Sequence, residues 1–217
     1  MNQFYNVAKN NQLFEGITQS EFVAILTCLS ARVSSYAGGD RVLLSGDQVN
    51  SLGLILSGNI RITREDIRGN VTILAKLGPP ETFAEALVCA EVSQSPVTVQ
   101  ATEDTEILHI DYGKIFVACD NDCSCHEQMV KNMTKLLAQK NLLLNRKIEV
   151  LSKRTTREKI LCLLDHQKTP SKKIILHLNR EEMANYLCVD RSALSSELSK
   201  MRDDGLIRYE RNKFEIV

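Results

Sequence analysis

The stretch from His126 to Leu151 contains neither glycine nor proline, and it constrains the fold more than any other part of the chain. Glycine and proline interrupt helices, so their absence over this length favours one long helix. Apolar residues recur seven apart in two adjacent series, Met129, Leu136, Leu143 and Val150, and Val130, Leu137, Leu144 and Leu151. A stripe of this kind is typical of a helix that packs along a partner helix.

Two arrangements of this helix are open. In the first, two subunits pair along a seam, which we predict to contain Met129, Val130, Met133, Leu136, Leu137, Leu143 and Leu144. In the second, the helix is amphipathic and lies on its own domain. We favour the seam, because a helix of this length is longer than most helices of globular domains.

The segment from Ser34 to about Ile110 has a different pattern, in which short apolar runs such as RVLL, LGLIL and VTILAKL alternate with turn-forming residues. The turns are Gly38-Gly39-Asp40, Ser45-Gly46-Asp47, Ser57-Gly58-Asn59, Arg68-Gly69-Asn70 and Gly78-Pro79-Pro80. Strands at this spacing, separated by glycine-rich turns, predict an antiparallel sandwich or barrel.

Capping boxes mark the starts of three further helices. Thr18 precedes Glu21 by three residues, and the same spacing recurs in two pairs, Thr155 with Glu158 and Asn179 with Glu182. In such a box each side chain accepts a hydrogen bond from a backbone N–H at the start of the helix. The third box begins the tail of the chain, which reads NREEMANYLCVDRSALSSELSKMRDDGLI.

This tail predicts a helix-turn-helix. Cys188-Val189 forms a turn after the first helix, Asp190 caps a second helix, and Gly205 ends it. Two helices joined by so short a turn must cross steeply. Residues 206–217 then predict a β-hairpin, with Asn212-Lys213 near its turn, so the motif has the winged form.

The second helix of the motif exposes arginine and small polar residues, a pattern that suits entry into the DNA major groove. Arg191 matches the two acceptors of a guanine edge, and serines suit bases, phosphates or water. The predicted DNA-binding residues are Arg180, Asp190, Arg191, Ser192, Ser195, Ser196, Lys200 and Arg202. The alternative is a helical hairpin that only packs on the body, with Arg191 in a surface ion pair.

Charge is distributed unevenly, although the formal net charge is zero. From Asn145 to Val217 there are 16 basic and 11 acidic side chains, against 11 and 16 in the residues before them. A local positive field attracts phosphates. The imbalance agrees with a DNA-binding tail, but a solvated lysine-rich surface explains it equally well.

The string REEMANYLCVDRSALSSELSKMRDDGLI resembles the DNA-binding end of the Crp/Fnr family of bacterial transcription regulators, and the similarity extends over nearly the whole chain. The resemblance implies an α+β fold in three parts. The first is a cyclic-nucleotide-binding-like sensor domain (1–125), which folds as a double-stranded β-helix or jelly roll. The second is a dimerisation helix (126–151), and the third is a winged helix-turn-helix domain (152–217). One departure is Cys188, where the family often has glycine, and cysteine serves there only if the backbone avoids a positive φ.

Partners also follow from the resemblance. It implies a homodimer that binds a palindromic site in double-stranded DNA, with RNA polymerase as a further partner if the protein activates transcription. It implies that an effector or redox event in the sensor shifts a hinge near Ser152-Lys153-Arg154.

The resemblance places an effector pocket in the jelly roll, at Thr82, Phe83, Ala84, Glu85, Ser95 and Pro96. Members that bind cyclic nucleotides have an arginine at the position of Ser95, where it neutralises the phosphate. Serine lacks that charge, and burying a phosphate without a cation is costly. Arg61, Arg64 or Lys76 is an alternative source of charge. The sequence therefore argues against cyclic AMP and leaves an unidentified small molecule, or no ligand.

Three of the seven cysteines, Cys119, Cys123 and Cys125, lie close together beside His126. Neighbouring thiolates favour metal binding or oxidation, so an iron–sulfur cluster, another metal and thiol redox sensing stay open. Their spacing matches no common zinc or ferredoxin motif, so we favour unreactive thiols and predict no metal. We expect His109, which alternates with apolar residues in TEILHI, to be structural rather than a haem ligand.

Other classes of protein fit less well. The sequence contains no nucleophile elbow, phosphate-binding loop or metalloprotease motif, which argues against an enzyme. The alternative function is a cyclic-nucleotide-binding regulatory module without DNA binding, but such a module has no use for an exposed Arg191. No apolar run is long enough to cross a membrane. The N-terminus lacks a signal-peptide pattern, so we expect a cytoplasmic protein.

Overall fold

The computed structural model describes residues 2–115, 124–167, 173–176 and 178–217. The chain divides into two compact units, Met1–Leu137 and Ala138–Val217. The boundary between them falls inside the long helix, and not at either of the boundaries predicted near residues 125 and 151. The three-part division predicted above stays a prediction.

The first unit is a β-sandwich with helices on one face. It begins with α1 (Asn2–Ala8), a 3₁₀ turn (Gln12–Phe14) and α2 (Gln19–Cys28). Eight strands follow, β1 (Arg32–Tyr36), β2 (Arg41–Leu43), β3 (Ser51–Ser57), β4 (Ile60–Glu65), β5 (Val71–Leu77), β6 (Thr82–Phe83), β7 (Thr98–Ala101) and β8 (Thr105–Asp111). A short helix, α3 (Glu85–Cys89), interrupts them. The strands form two four-stranded antiparallel sheets, in the orders β1-β8-β3-β6 and β2-β7-β4-β5, so the predicted jelly roll is confirmed.

Alternation along the strands divides the apolar residues of this unit into two cores. On β8, Leu108 and Ile110 pack with residues of α1 and α2, whereas Ile107 packs with Ile60 and Val99 of the other sheet. The sheet that contains β8 is therefore buried on both faces, as the period of two in a strand requires.

One glycine is needed where two strands of this sheet meet. Gly53 on β3 lies opposite Phe83 on β6. A Cβ atom at position 53 would overlap the ring of Phe83. The ring therefore occupies the space that any other side chain at this position would take, and it covers the bare backbone of β3.

The predicted long helix is α4 (Ser124–Ser152), with 29 residues. In its first half, Met129, Met133 and Leu136 are buried in the core of the first unit. Asn132 is also buried there and donates hydrogen bonds to the carbonyl oxygens of Leu13, at 3.0 Å, and Glu15, at 2.8 Å. This half of α4 thus follows the second arrangement considered above, a helix that lies on its own domain.

The residues of the predicted seam differ in exposure in the single chain, and the seam itself stays a prediction. Met129, Met133 and Leu136 are buried in the core of the first unit. Val130 and Leu137 are half-buried against the same core. Beyond them, every residue from 138 to 149 is exposed, including Leu143 and Leu144 at 61% each.

The second unit contains the predicted helix-turn-helix and wing. Its elements after α4 are α5 (Thr156–His166), β9 (Lys173–Ile175), α6 (Arg180–Leu187), α7 (Arg191–Asp203), β10 (Ile207–Glu210) and β11 (Lys213–Ile216). The three strands form one antiparallel sheet, in the order β10-β11-β9. The hairpin turn is Arg211-Asn212, one residue before the position predicted, and Arg211 has the positive φ of 52°.

All three capping boxes are confirmed. The side chains of Thr18, Thr155 and Asn179 each accept from the backbone of the third helical residue, and the glutamate there accepts from the capping residue. These are local interactions, and the sequence alone was enough to find them.

Candidate DNA interface and effector pocket

The two faces of α7 separate as the sequence predicted. Leu194, Leu198 and Met201 are buried in the core of the second unit. On the opposite side, the exposed residues near the start of the helix include Arg191, Ser192, Ser195 and Ser196. The exposed start of α7 therefore presents hydroxyl groups and one guanidinium, which are groups that hydrogen-bond to bases and phosphates.

The N-terminus of α7 also lacks a capping hydrogen bond to a side chain. Asp190 has the extended backbone of a capping residue (φ −67°, ψ 142°), but its carboxylate makes no capping hydrogen bond. Backbone N–H groups of the first turn are therefore not occupied by this side chain. Groups of this kind bind phosphates at helix N-termini.

The basic residues of α7 differ in whether their side chains make hydrogen bonds or ion pairs within the described part of the chain. Arg191 is exposed and makes no hydrogen bond or ion pair with any residue that the structure describes, so the surface ion pair considered as an alternative is not formed there. Lys200 is exposed as well. The guanidinium of Arg202 donates to the Oδ1 of Asp203, at 2.9 and 3.1 Å. Arg191 is thus the freer of the two arginines.

Arg180, which the sequence predicts to contact DNA, makes several contacts within its own unit. Its guanidinium lies over the rings of Tyr209 and Phe214, at 5.1 and 5.2 Å from their centres. It also donates to the carbonyl oxygen of Arg211, at 3.0 Å. Arg180 therefore joins the first turn of α6 to the wing through one terminal nitrogen and its flat face.

Two ion pairs hold α7 in place. Arg157 on α5 donates from Nε to Glu197, at 2.6 Å, and from its terminal nitrogen to Asp204, at 2.8 Å. Lys159, also on α5, donates to the carbonyl oxygen of Leu187 at the end of α6, at 3.1 Å. One helix thus contacts both members of the helix-turn-helix and fixes the orientation of α7 in the unit.

The turn between α6 and α7 departs from the expectation for Cys188. This residue adopts the left-handed conformation, with φ 52° and ψ 53°, instead of avoiding a positive φ. Its backbone N–H donates to the carbonyl oxygens of Ala184 and Asn185, so the conformation provides a hydrogen-bonded cap at the end of α6. Because a Cβ atom is crowded in this region, the turn stores a strain that glycine would relieve.

Most residues of the predicted effector pocket are buried in the first unit. Thr82, Phe83, Glu85 and Ser95 are all buried. Ala84 has a positive φ of 64°. The hydroxyl of Ser95 donates to the carbonyl oxygen of Val97, at 2.7 Å, and accepts from the N–H of Val97, at 3.3 Å. Ser95 therefore uses its hydroxyl to hold its own turn.

The three cations considered as substitutes for the missing arginine are all exposed. Arg61 is exposed and donates twice to the amide oxygen of Gln100, at 2.7 and 3.0 Å. Arg64 and Lys76 are also exposed on neighbouring strands. None of the three is buried where a buried phosphate would need it.

A cavity of about 380 Å³, which shares Phe83 with the predicted pocket, opens in the same unit. Arg32, Tyr36, Phe83, Asn50 and His109 are among its lining residues. The hydroxyl of Tyr36 is 3.0 Å from Nε2 of His109. Burial lowers the pKa of His109 to about 4, and the positive charge of Arg32 adds to the shift, so the imidazole is neutral at neutral pH.

Family models match both units of the chain. The model for a cyclic nucleotide-binding domain matches residues 33–122, and the model for a Crp-like helix-turn-helix domain matches residues 159–217. The chain belongs to the Crp/Fnr family of transcription regulators. A Crp/Fnr regulator combines a cyclic-nucleotide-binding-type sensor with a DNA-binding domain and is not an enzyme. None of the helices that the structure describes has the length and apolarity needed to cross a membrane.

Individual relatives agree with this assignment over nearly the full length. A protein of Thermus thermophilus described as cyclic AMP receptor protein is 26% identical over 200 residues, which are 92% of this chain and 89% of the relative. The crystal structure of the Thermus thermophilus catabolite activator protein matches with a TM-score of 0.57 at 24% identity, covering 95% of this regulator and 94% of that chain. The Xanthomonas campestris regulator CLP, described as c-di-GMP responsive, matches with a TM-score of 0.57 at 19% identity, covering 92% and 99%. Both structures support the fold.

Two of the three cysteines of the candidate cluster, Cys119 and Cys123, lie outside the part of this Crp/Fnr regulator that the structure describes, so the interpretation of the cluster stays a prediction. Cys125 is buried in the core of the first unit. A different group was missed. Glu149, Cys162 and His166 place a carboxylate oxygen, a sulfur and a ring nitrogen within 4.8 Å of one another. The signal in the sequence was the spacing of four between Cys162 and His166, which puts both on one face of a helix.

Proposed function

We propose that this regulator binds a palindromic DNA site as a homodimer and that an unidentified small molecule, or a redox event, in its sensor domain controls the binding. The observation that supports this proposal most strongly is the exposed start of α7. There Arg191 and three serines are exposed, while Leu194 and Leu198 are buried beneath them. A cyclic-nucleotide-binding module without DNA contact does not account for that surface. We further propose that the protein acts in the bacterial cytoplasm, and with RNA polymerase if it is an activator.

DNA contacts in this proposal come from the start of α7. Arg191 reads a base edge, because its guanidinium is exposed and makes no hydrogen bond or ion pair among the described residues. Ser192, Ser195 and Ser196 contact bases or phosphates. Lys200 and Arg202 supply further positive charge that attracts the phosphate backbone of the DNA. Arg180 is left out of the interface, since the rings of the wing occupy it.

The dimer in this proposal forms along the second half of α4. Leu142, Leu143, Leu144 and Ile148 are each about 60% exposed in the single chain. Exposed leucines in adjacent helical positions favour pairing with an identical helix, because pairing removes them from water. A two-fold dimer presents two copies of α7 to half-sites about one turn of DNA apart, roughly 34 Å.

The effector in this proposal is not cyclic AMP. The buried phosphate of a cyclic nucleotide needs a paired cation, and Ser95 stands at the position that would supply it, with its hydroxyl committed to Val97. The cavity beside Tyr36 and His109 has the volume of a small-molecule site. The proposal therefore commits to a small molecule of another class, or to a redox event, and not to a particular compound.

Selection of bound fragments from genomic DNA, with and without oxygen, tests the DNA-binding part of the proposal. We expect enrichment of short inverted repeats with half-sites about ten base pairs apart. Enrichment in only one of the two conditions would identify a redox signal. The proposal is overturned if the protein, at low salt and in either condition, enriches no sequence.

A further inference from the structure

We infer that Glu149, Cys162 and His166 form a binding site for a divalent metal ion of the zinc class. All three belong to the second unit, at the end of α4 and on α5. Nothing in the recognition of DNA requires them, since they lie outside the helix-turn-helix. They are also separate from the cysteines near residue 120 that the sequence analysis singled out.

The chemistry of the three donors selects the class of metal. One thiolate, one imidazole and one carboxylate form a mixed set of sulfur, nitrogen and oxygen ligands. Zinc binds this combination in proteins, whereas calcium and magnesium prefer oxygen ligands alone. The set therefore indicates Zn²⁺ or a transition metal of similar preference, and it argues against an alkaline-earth ion.

The distances between the donor atoms fit one small ion. In the structure Nε2 of His166 is 2.9 Å from Oε2 of Glu149 and 3.9 Å from Sγ of Cys162. A tetrahedral zinc site places nitrogen about 3.3 Å from oxygen and about 3.6 Å from sulfur, given the usual bond lengths. Each of these two distances thus differs by less than half an ångström, a change that small side-chain rotations supply.

The positions along the chain explain why the donors converge. Cys162 and His166 are four residues apart on α5, so they share one face of that helix. Glu149 approaches this face from the last turns of α4, and its second oxygen, Oε1, is 3.7 Å from Nζ of Lys153. That ion pair leaves Oε2 directed at the imidazole, where the ion would sit. Metal binding replaces the Glu149–His166 hydrogen bond with two metal bonds, and the proton that Nε2 donates in this hydrogen bond moves through solvent to Nδ1, so that a neutral imidazole binds the ion through Nε2.

Binding releases a proton and leaves a ligand position open. The thiol of Cys162 loses its proton to solvent as the metal–sulfur bond forms, and no electron is transferred. Three protein ligands leave a fourth position for water, because the site lies at the surface with Glu149 exposed. Structural zinc sites usually have four protein ligands, whereas sites with three protein ligands keep one position open. The bound ion would fix the end of α4 to α5.

Cobalt spectroscopy on the full-length chain, freed of metal with a chelator, tests this inference. One equivalent of Co²⁺ per chain is expected to give the thiolate charge-transfer band and the d–d bands of tetrahedral coordination, and Zn²⁺ is expected to abolish both. Cys162→Ala and His166→Ala are expected to remove the bands. Glu149→Gln, which keeps a hydrogen-bonding side chain, is expected to weaken binding at least tenfold.

The double variant Cys119→Ser/Cys123→Ser is the matched control. It removes two cysteines that lie close together elsewhere in the sequence, and it is expected to keep the full spectrum. Thermal unfolding without metal checks that each variant is folded. The inference is overturned if the original chain gives no thiolate band, if the bands survive in Cys162→Ala, or if they disappear in the control.

Discussion

The phenol oxygen of Tyr36 lies 3.0 Å from Nε2 of His109, on neighbouring strands of one sheet. The imidazole is buried, and its ring is also packed edge-on against the ring of Tyr36. In this position a charged imidazole would lose its hydration and face the positive Arg32. The hydrogen bond therefore involves the neutral imidazole, and the structural role expected for His109 stays a prediction.

Stability is expected to fall with acid because of His109. Its pKa is about 4 in the folded protein against an ordinary value of 6.5, so the unfolded chain binds a proton first as the pH decreases. The stabilisation is fully present above pH 6.5 and is lost progressively from there towards pH 4. The free energy of unfolding should drop by on the order of 2 kcal/mol between pH 6.5 and pH 5.

Urea unfolding at several pH values measures this dependence. His109→Gln is the informative variant, because glutamine does not titrate. It should flatten the pH profile between 6.5 and 5. An equally steep profile in His109→Gln would assign the acid sensitivity to other groups.

Cys188→Gly is expected to stabilise the second unit. The residue is held at φ 52° and ψ 53°, a conformation that crowds the Cβ atom of any residue other than glycine. Removing the Cβ should raise the free energy of unfolding by about 1 kcal/mol, after the larger entropy of glycine in the unfolded chain is subtracted. Thermal unfolding followed by circular dichroism gives the measurement.

Cys188→Ala separates backbone strain from the loss of the thiol. Alanine keeps the Cβ atom and should give no stabilisation. If alanine stabilises as much as glycine, the thiol and not the backbone is responsible, and the strain ascribed to the turn is wrong.

Leu144→Asp is expected to dissociate the proposed dimer. The side chain is 61% exposed in the single chain, so a carboxylate there costs little in a monomer. At a shared seam it would place unpaired charges in an apolar interface, which is strongly destabilising. Sedimentation velocity should show a monomer at concentrations where the original chain is a dimer.

The control for this change is Leu136→Asp, eight residues earlier on the same helix. Leu136 is 7% exposed and belongs to the core of the first unit. Its replacement should unfold or destabilise that unit without testing the seam. A dimer that persists in folded Leu144→Asp would exclude the second half of α4 as the interface.

Cyclic AMP is expected to produce no saturable heat when titrated into the protein. The structure leaves Ser95 bonded to its own turn, and it provides no buried arginine near Ser95 among the described residues. Isothermal titration calorimetry makes the measurement. A micromolar affinity that is lost in Glu85→Gln would show that the predicted pocket binds the nucleotide after all.

Local signals in the sequence predicted much of the fold, and the reason is physical. Each capping box, such as Thr155 with Glu158, depends on residues three positions apart. The interior face of α7 likewise follows from the helical period alone. The division of α4 did not follow, because Met129 and Leu143 have the same spacing and chemistry. Only the presence of the sensor core beside Met129 distinguishes them.

Long-range contacts explain what the sequence could not give for the site. Arg180 resembles a DNA-binding residue until the rings of Tyr209 and Phe214, about thirty residues later, are seen beneath it. The group of Glu149, Cys162 and His166 depends on how α4 approaches α5. Neither arrangement leaves a pattern that a single sequence displays.

Binding of Arg191→Ala to a selected operator and to unrelated DNA, measured side by side at fixed salt, tests the central claim most directly. Because Arg191 is exposed and makes no hydrogen bond or ion pair with the described part of the chain, the variant should fold normally. It should lose about 1–3 kcal/mol at the operator and relax the preference at one base pair, with little change on unrelated DNA. Arg68→Ala, a surface arginine of the sensor domain, should change neither. An equal loss on every sequence, or no loss at all, would contradict base recognition by the start of α7.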